Sequence, residues 1–398
     1  MLITEEGFMT GRDRILRTFK GEKTDRVPAC PWIYDNLVYR YFDIPPEKQP
    51  YRVGKYDLVE KLIEVTDYYG FDHMHRLGAP KHQYDEKSSY DGKWTVETDF
   101  QKINGRDTEI TIIKTPERKL RQVKEFDQTS RYTYVEAITE HYIKDKEDFN
   151  QFLKYQPSFG DSIYPTIIHE FENLGKAKKL LGDKGVVVAH NYGGAFNILN
   201  WYRNFESLLM DPFTDLGFYK EMIEYFGKRS FEIYKKEVEH GADIIEIGGN
   251  LASGNVGEKF FRNFVMEYEI KHIKYIHSLG AFDIYHNCGD ADSIMHIYNE
   301  MGMNAWGYLT PPPHGDVDLD KALKIMNKDM VLIGNIDQID FMVKAHPEEV
   351  RARVKEVLDK VKPRGNFILS STDWFFDDTP DENLKAFARA GKEFGSYG

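Results

Sequence analysis

Two soft metal ligands stand two residues apart at the end of an apolar run. The segment Phe282–Asp290 reads FDIYHNCGD. Side chains two apart on a strand point to the same side, so His286 and Cys288 would be offered together where the strand stops. Imidazole and thiolate are donors that zinc prefers. The chain has 2 cysteines in all, so one beside a histidine is a coincidence that a metal site would explain. A buried core histidine next to an inert thiol is the other reading, and the segment alone supports both. A catalytic zinc typically takes three protein ligands and keeps a position for water or substrate. Glu246, in the apolar ADIIEIGG, and Asp373, in SSTDW, are carboxylates at other strand ends that could complete the set. The rival role of Glu246 is a structural ion pair, and that of Asp373 is a cap for the turn that follows it.

These positions take their meaning from the elements that must carry them. Strands are expected at Arg26–Ile33, Phe71–Arg76, Gly185–Asn191, Asp243–Gly248, Phe282–His286, Ala305–Leu309, Met330–Asn335 and Asn366–Ser371. Amphipathic helices are expected between the later ones, at Phe218–His240, Lys259–Leu279, Asp318–Asn327 and Pro347–Val361. Regular strand–helix alternation implies a parallel sheet. Eight strands suggest closure into an α/β fold of the (β/α)8 TIM barrel type. No glycine fingerprint follows the first strand, as an open dinucleotide-binding sheet would need.

A barrel carries its chemistry at the C-terminal ends of its strands. Those ends offer Trp32 and Tyr34, His73 and His75, His190 and Tyr192, Glu246, His286 and Cys288, Trp306 and Tyr308, Asn335 and Asp337, and Ser371 and Asp373. Tyr192, Trp306 and Tyr308 are candidates to hold a flat substrate, with core packing as the plain alternative. Asn335 and Asp337 are candidates to orient substrate or a metal ligand, against turn chemistry after the seventh strand.

One region breaks the alternation. Trp94–Tyr142 has period-two patterning and an Asn104-Gly105 turn, which is hairpin chemistry. The chain therefore reads as one barrel domain, 1–398, with a small β-hairpin insertion at 88–142 between the second and third strands. Capping the barrel mouth and forming a homodimer contact are both open to that insertion. The net charge of -12, without long runs of one sign, argues against general nucleic-acid binding. Cys30 and Cys288 make no disulfide framework, which points to a reducing cytoplasm. The opening MLITEEGFMTGRDRIL lacks an apolar signal core, and no apolar stretch approaches membrane-spanning length. A nucleophile elbow and a P-loop pattern are absent too.

Over nearly its whole length the chain resembles the uroporphyrinogen decarboxylase superfamily, and within it the corrinoid-dependent methyltransferases of the O-demethylase methyltransferase I kind. The likeness is carried by MTGRDRILRTFKGEKTDRVPACPWI, HGADIIEIGGNLAS, YHNCGD, LIGNIDQ and FILSSTDWFFDDTPDENLKAFARAG. In that branch a His-x-Cys pair similar to His286 and Cys288 holds zinc. Two departures matter. The basic, glycine-bearing signature by which the decarboxylase branch grips carboxylates is replaced by PACPWIYDNLVYR, which speaks against porphyrinogen decarboxylation. Where thiol-directed members carry a cysteine ligand near the last strand, this chain has Ser370-Ser371-Thr372-Asp373-Trp374. A carboxylate in place of a thiolate makes zinc a stronger Lewis acid, which suits an ether donor better than a thiol acceptor.

The expectation is therefore demethylation of a methylated small molecule, a phenyl methyl ether above others. The methyl group would pass to the Co(I) corrinoid of a separate protein. His286, Cys288 and Glu246 would be the catalytic residues and, with Asp373, the Zn2+ ligands. The competing readings are a methylcorrinoid:thiol (coenzyme M-type) methyltransferase, a metal-free decarboxylase-like enzyme with Arg76 as its one obvious strand-end arginine, and a non-catalytic binding barrel.

Overall fold

Two prolines decide how the first expected strand joins the sheet. The computed structural model describes residues 9–45, 58–77, 88–190, 193–249, 251 and 253–397. In RVPACPWI, Pro28 and Pro31 have no N–H to give to a ladder. The segment accordingly makes single bridges instead of the strand expected at Arg26–Ile33. The amides of Val27, Ala29, Cys30 and Trp32 all find partners. Cys30 N donates to Leu369 O at 2.8 Å, and Pro28 O accepts from Leu369 N at 2.9 Å. On the other side Asp72 N donates to Ala29 O at 2.9 Å.

The parallel sheet has seven strands in the order β1 (His73–Leu77), β6 (Gly185–His190), β7 (Ile244–Gly248), β8 (Phe282–His286), β9 (Ala305–Gly307), β10 (Val331–Ile336) and β11 (Phe367–Ser371). Leu369 lies in the last of these strands and Asp72 adjoins the first, so Pro28–Cys30 bonds to both edges and the sheet curls to meet it. Between β1 and β6 comes a four-stranded antiparallel meander of β2 (Thr95–Ile103), β3 (Arg106–Lys114), β4 (Lys119–Gln128) and β5 (Tyr134–Glu140). Asn104 and Gly105 turn β2 into β3 with φ of 52° and 85°, the left-handed pair that a two-residue hairpin loop requires. The β4–β5 turn fastens the meander to the loop after β11. There Asp377 accepts from the Ser130 and Thr133 hydroxyls, each at 2.6 Å.

Strand parity divides the apolar residues into two compartments. Met74, Val186, Val188, Ile244, Ile284, Ala305, Val331, Ile333 and Ile368 face the inside of the curl with Cys30 and Trp32. Their neighbours in sequence, such as Val187, Ile245, Tyr285, Trp306, Leu332 and Leu369, face the helices. Helix Gly11–Phe19 sends Ile15 and Phe19 into the inner compartment, where Phe19 meets Phe282, at the start of β8, at 5.3 Å. The end at which the strands begin is thus plugged.

The covering helices follow from period and caps. Leu216–Glu239 buries Phe218, Met222, Phe226, Ile233 and Tyr234, with Asp215 accepting from Phe218 N. Pro347–Val361 buries Val350, Val354, Val357, Leu358 and Val361 at helical spacing. The helix expected over Lys259–Leu279 is instead three pieces, with a π-helical turn at Phe261–Val265 before Met266–Ser278. A single insertion of this kind re-phases a helix face without ending it.

Asp72 holds the closing segment in register. Its carboxylate accepts from Ala29 N at 2.8 Å, from two Arg26 nitrogens at 2.6 and 2.7 Å, and from Arg14 Nη1 at 3.2 Å. Removing one partner from a buried charge cluster typically costs about 3 kcal/mol or more. Asp72→Asn is therefore expected to lower the thermal unfolding midpoint by several degrees, measured by circular dichroism. An unchanged midpoint would show that the prolines and the Leu369 bonds suffice.

Candidate metal centre at the strand ends

The inner face of the curl changes character within one step of the strand repeat. Met74, Val188, Ile244, Ile284, Ile333 and Ile368 form an apolar layer. Two residues further along the same strands come Arg76, His190, Glu246, His286, Asn335 and Ser370, all buried. Pairing keeps this second layer level: His190 is opposite Glu246, and Asn335 is opposite Ser370. Buried polar groups need partners, and the partners here converge on one carboxylate.

Glu246 has no exposed surface. Its Oε1 lies 2.7 Å from His286 Nδ1, and its Oε2 accepts from Arg76 Nε at 2.7 Å. His190 Nδ1 stands 3.7 Å from Oε1. Burial alone would raise this carboxyl, but the Arg76 charge and the two histidines outweigh it and hold Glu246 well below the usual carboxylate range. Burial pulls the His286 ring down, and Cys288 and Glu246 more than reverse that, so the ring sits well above its ordinary value. With Nδ1 turned to the carboxylate, Nε2 is the nitrogen left for a ligand.

Cys288 and Asp373 meet on the same side. Cys288 Sγ is 3.3 Å from Asp373 Oδ2, while Asp373 Oδ1 accepts from Trp374 N at 2.7 Å. Asp373 therefore serves its turn with one oxygen and faces the thiol with the other. Burial pushes the Cys288 thiol up, Asp373 pushes it further, and His286 opposes only in part. One ligand atom each from His286, Cys288 and Asp373 lies within 4.8 Å of the others. Imidazole, thiol and carboxylate brought that close suit a divalent cation of borderline softness, whose bonds run about 2.0–2.3 Å. A cation would also relieve the thiol, which burial and Asp373 otherwise keep protonated.

The expected residues divide accordingly. His286, Cys288 and Asp373 come together. Glu246, expected as a ligand beside them, instead commits its oxygens to His286 and Arg76 and stands behind the imidazole. Tyr308 is buried in the inner compartment with its ring 5.1 Å from that of His286. Asn335 is buried with Oδ1 unbonded. Trp306, expected to hold substrate, has the opposite parity and packs on Tyr298 at 5.3 Å, in the helix-facing core. Asp337 accepts from Ile339 N at 2.8 Å and Phe341 N at 3.0 Å, and groups with His314 and Asp340, apart from the His286–Cys288 cluster. Tyr192 lies outside the described residues. His73 and His75 bond each other at 2.9 Å and reach Asp67 on helix Val59–Tyr69, so they belong to the other face of β1.

Two inner residues carry more than their strand-end positions suggested. Trp32 has its ring 4.7 Å from His190 and 6.0 Å from His286. Arg76 lies over Trp32 and Tyr308, its Cζ 5.0 and 5.1 Å from the two rings. The signal for Arg76 was available in HMHRL: an inward Met74 makes Arg76 inward too.

Comparison with known proteins adds a family context. The family described as uroporphyrinogen decarboxylase (URO-D) matches residues 138–394. The methylcobamide:CoM methyltransferase MtbA of Methanosarcina mazei is 22% identical over 267 residues, 65% of this chain and 71% of that protein. A methylated-thiol–coenzyme M methyltransferase of the same organism is 26% identical over 160 residues, 40% of each chain. A solved methyltransferase structure from Methanosarcina mazei aligns with a TM-score of 0.70 at 17% identity, covering 97% of this chain and 99% of that one. That last likeness is one of fold.

The electrostatics at Cys288 can be checked directly. In chelator-treated protein, iodoacetamide should label Cys288 slowly at neutral pH and faster above the ordinary thiol pKa of about 8.5. Asp373→Asn removes a charge that raises the thiol, so the variant should label faster at any given pH. Mass spectrometry reads both rates, with the fully buried Cys30 as the unreactive control. Equal rates in the two proteins would refute the coupling.

Proposed function

We propose, for a chain that belongs to the uroporphyrinogen decarboxylase family, that it is a zinc-dependent methyltransferase acting with a corrinoid protein. It would remove a methyl group from a methylated donor, read as a phenyl methyl ether, and pass it to Co(I) of the corrinoid. The scaffold is read as a (β/α)8 barrel in which Pro28–Cys30 takes the eighth position. The observation that carries the reading is the convergence of His286, Cys288 and Asp373 within 4.8 Å at the C-terminal ends of the strands. No helix among the described residues is long and apolar enough to cross a membrane.

The roles of this chain's own residues follow from their bonds. His286, through Nε2, with Cys288 and Asp373 would hold the metal. Glu246 would accept a hydrogen bond from Nδ1–H, fixing the tautomer and the ring plane and making Nε2 a better donor. Arg76 in turn fixes Glu246 and keeps it ionised. Zinc in such a donor set supplies Lewis acidity to the oxygen of the leaving group. Tyr308 and Trp32, both beside His286, would wall the inner side and keep water from the oxygen's surroundings. That matters because an aryl oxide leaves poorly without electrostatic help.

A second reading is methyl transfer from a corrinoid to a thiol. The names of the two Methanosarcina mazei methyltransferases favour it. The carboxylate at Asp373, less electron-donating than a thiolate, favours the ether donor.

Metal content of protein purified without added metal tests the site. About one zinc per chain is expected, lost in His286→Ala and in Cys288→Ala. Glu246→Gln is expected to retain the site with metal affinity weakened roughly 10–100-fold. No metal bound, even after zinc titration, would overturn the reading. With zinc established, methyl transfer from methoxyarenes to a reduced corrinoid protein is expected, and transfer only from methylcorrinoid to a thiol would select the second reading.

A further inference from the structure

Arg76 holds a charge whose hydrogen bonds are mostly unspent. Its side chain is 1% exposed and binds Glu246 through Nε alone. Nη1 and Nη2, with four N–H groups between them, have no hydrogen-bond partner among the described residues. Buried donors in folded proteins are nearly always paired, and a guanidinium is the most demanding of them. The ring faces of Trp32 and Tyr308, inclined at 20° to each other, hold the cation at 5.0 and 5.1 Å from Cζ. They steady the group without accepting the hydrogen bonds that its terminal nitrogens offer.

The surroundings share this surplus of donors. Trp32 Nε1 and Tyr308 OH are buried in the same compartment without a partner among the described residues, and Asn335 Oδ1 is an unbonded acceptor there. A neutral apolar ligand would leave all these groups unsatisfied. A ligand with two anionic oxygens would take both Nη groups at once, because the planar fork of arginine matches a carboxylate in spacing and charge. Arg76 reaches His286 through one shared carboxylate, since Glu246 bonds both. A molecule held by Arg76 therefore lies beside the metal-ligating cluster.

We infer that the methyl donor carries a carboxylate, bound by the two terminal nitrogens of Arg76, with its planar body against Trp32 and Tyr308. Arg76 is then a specificity-determining residue that selects an aromatic acid over its uncharged counterpart. The inference rests on the reading of this cleft as the seat of a methylated aromatic donor. What it adds is a binding contact, separate from methyl transfer.

The test is binding to the purified, metal-loaded protein by isothermal titration calorimetry. The probes are the three methoxybenzoate isomers, each against its own methoxybenzamide. At least one acid is expected to bind roughly tenfold more tightly than its amide, the scale of a charge-assisted bidentate contact. Arg76→Gln should bring the acid-to-amide affinity ratio to about one, the ratio being read within the variant because Arg76 also fixes Glu246, with fold checked by circular dichroism and zinc content measured alongside. Arg76→Lys, which keeps the charge beside Glu246 but loses the fork, should reduce the preference, and it serves if the glutamine variant does not fold. Acid and amide binding alike in the wild type, neither binding, or a preference that survives in Arg76→Gln would each overturn the inference. A preference lost with Arg76 in a protein that transfers no methyl group would uphold this contact and sink the transfer reading. Methyl transfer without any acid preference would do the reverse.

Discussion

A carboxylate with no exposed surface, held between a guanidinium and an imidazole, sets the relation of three strands at the C-terminal end of the parallel sheet. Glu246 on β7 bonds His286 on β8 at 2.7 Å and Arg76 on β1 at 2.7 Å. Moving a carboxylate out of water costs several kcal/mol, and only close, well-aligned partners offset it. That cost makes the arrangement rigid. Turning His286 away would leave Glu246 short of a partner in a medium of low polarity, and so would shifting β1 against β7. The imidazole is consequently fixed in plane and tautomer before any ligand arrives, which is the condition for Nε2, Cys288 and Asp373 to act as one donor set.

The rest of the fold keeps the polar groups at that end. Ile15 and Phe19 fill the opposite end of the inner compartment, where Phe19 packs on Phe282. The apolar layer from Met74 to Ile368 gives a buried floor, and the polar layer stands directly on it. The antiparallel meander is anchored to the rim through Asp377. The segment that positions Asp373 is thereby held from outside as well as by its own turn. A carboxylate that must face Cys288 needs that support, because two acidic groups at 3.3 Å repel once both are ionised.

Much of this was legible in the residues, and the exceptions have a common cause. The strand–helix alternation, the Asn104-Gly105 turn and the His286–Cys288 pair are local features, readable from period and spacing alone. Glu246 and Asp373 were both identified as strand-end carboxylates, yet nothing local says that Asp373 faces the thiol while Glu246 is claimed by Arg76. Trp306 stands next but one before Tyr308, and parity alone would have put both on the same face. The chain at Gly307–Tyr308 departs from the strand, so Tyr308 turns inward and Trp306 meets Tyr298 in the outer core. Asp337 went to loop amides because a carboxylate after a strand captures the nearest unbonded N–H groups. The first strand dissolved into single bridges because Pro28 and Pro31 remove the donors that a ladder requires.

By itself, then, the sequence determined which residues alternate, where the turns fall, and that a histidine and a cysteine share one strand end. These properties depend on chemical identity and on separations of a few residues. Only the tertiary structure decided which carboxylate joins His286 and Cys288 and which one stands behind the imidazole, and that two Arg76 nitrogens have no partner among the described residues. Those assignments link residues 170 and 85 positions apart, Arg76 to Glu246 and Cys288 to Asp373. They are set by how the sheet curls and how its strands register, and a short window of sequence carries neither.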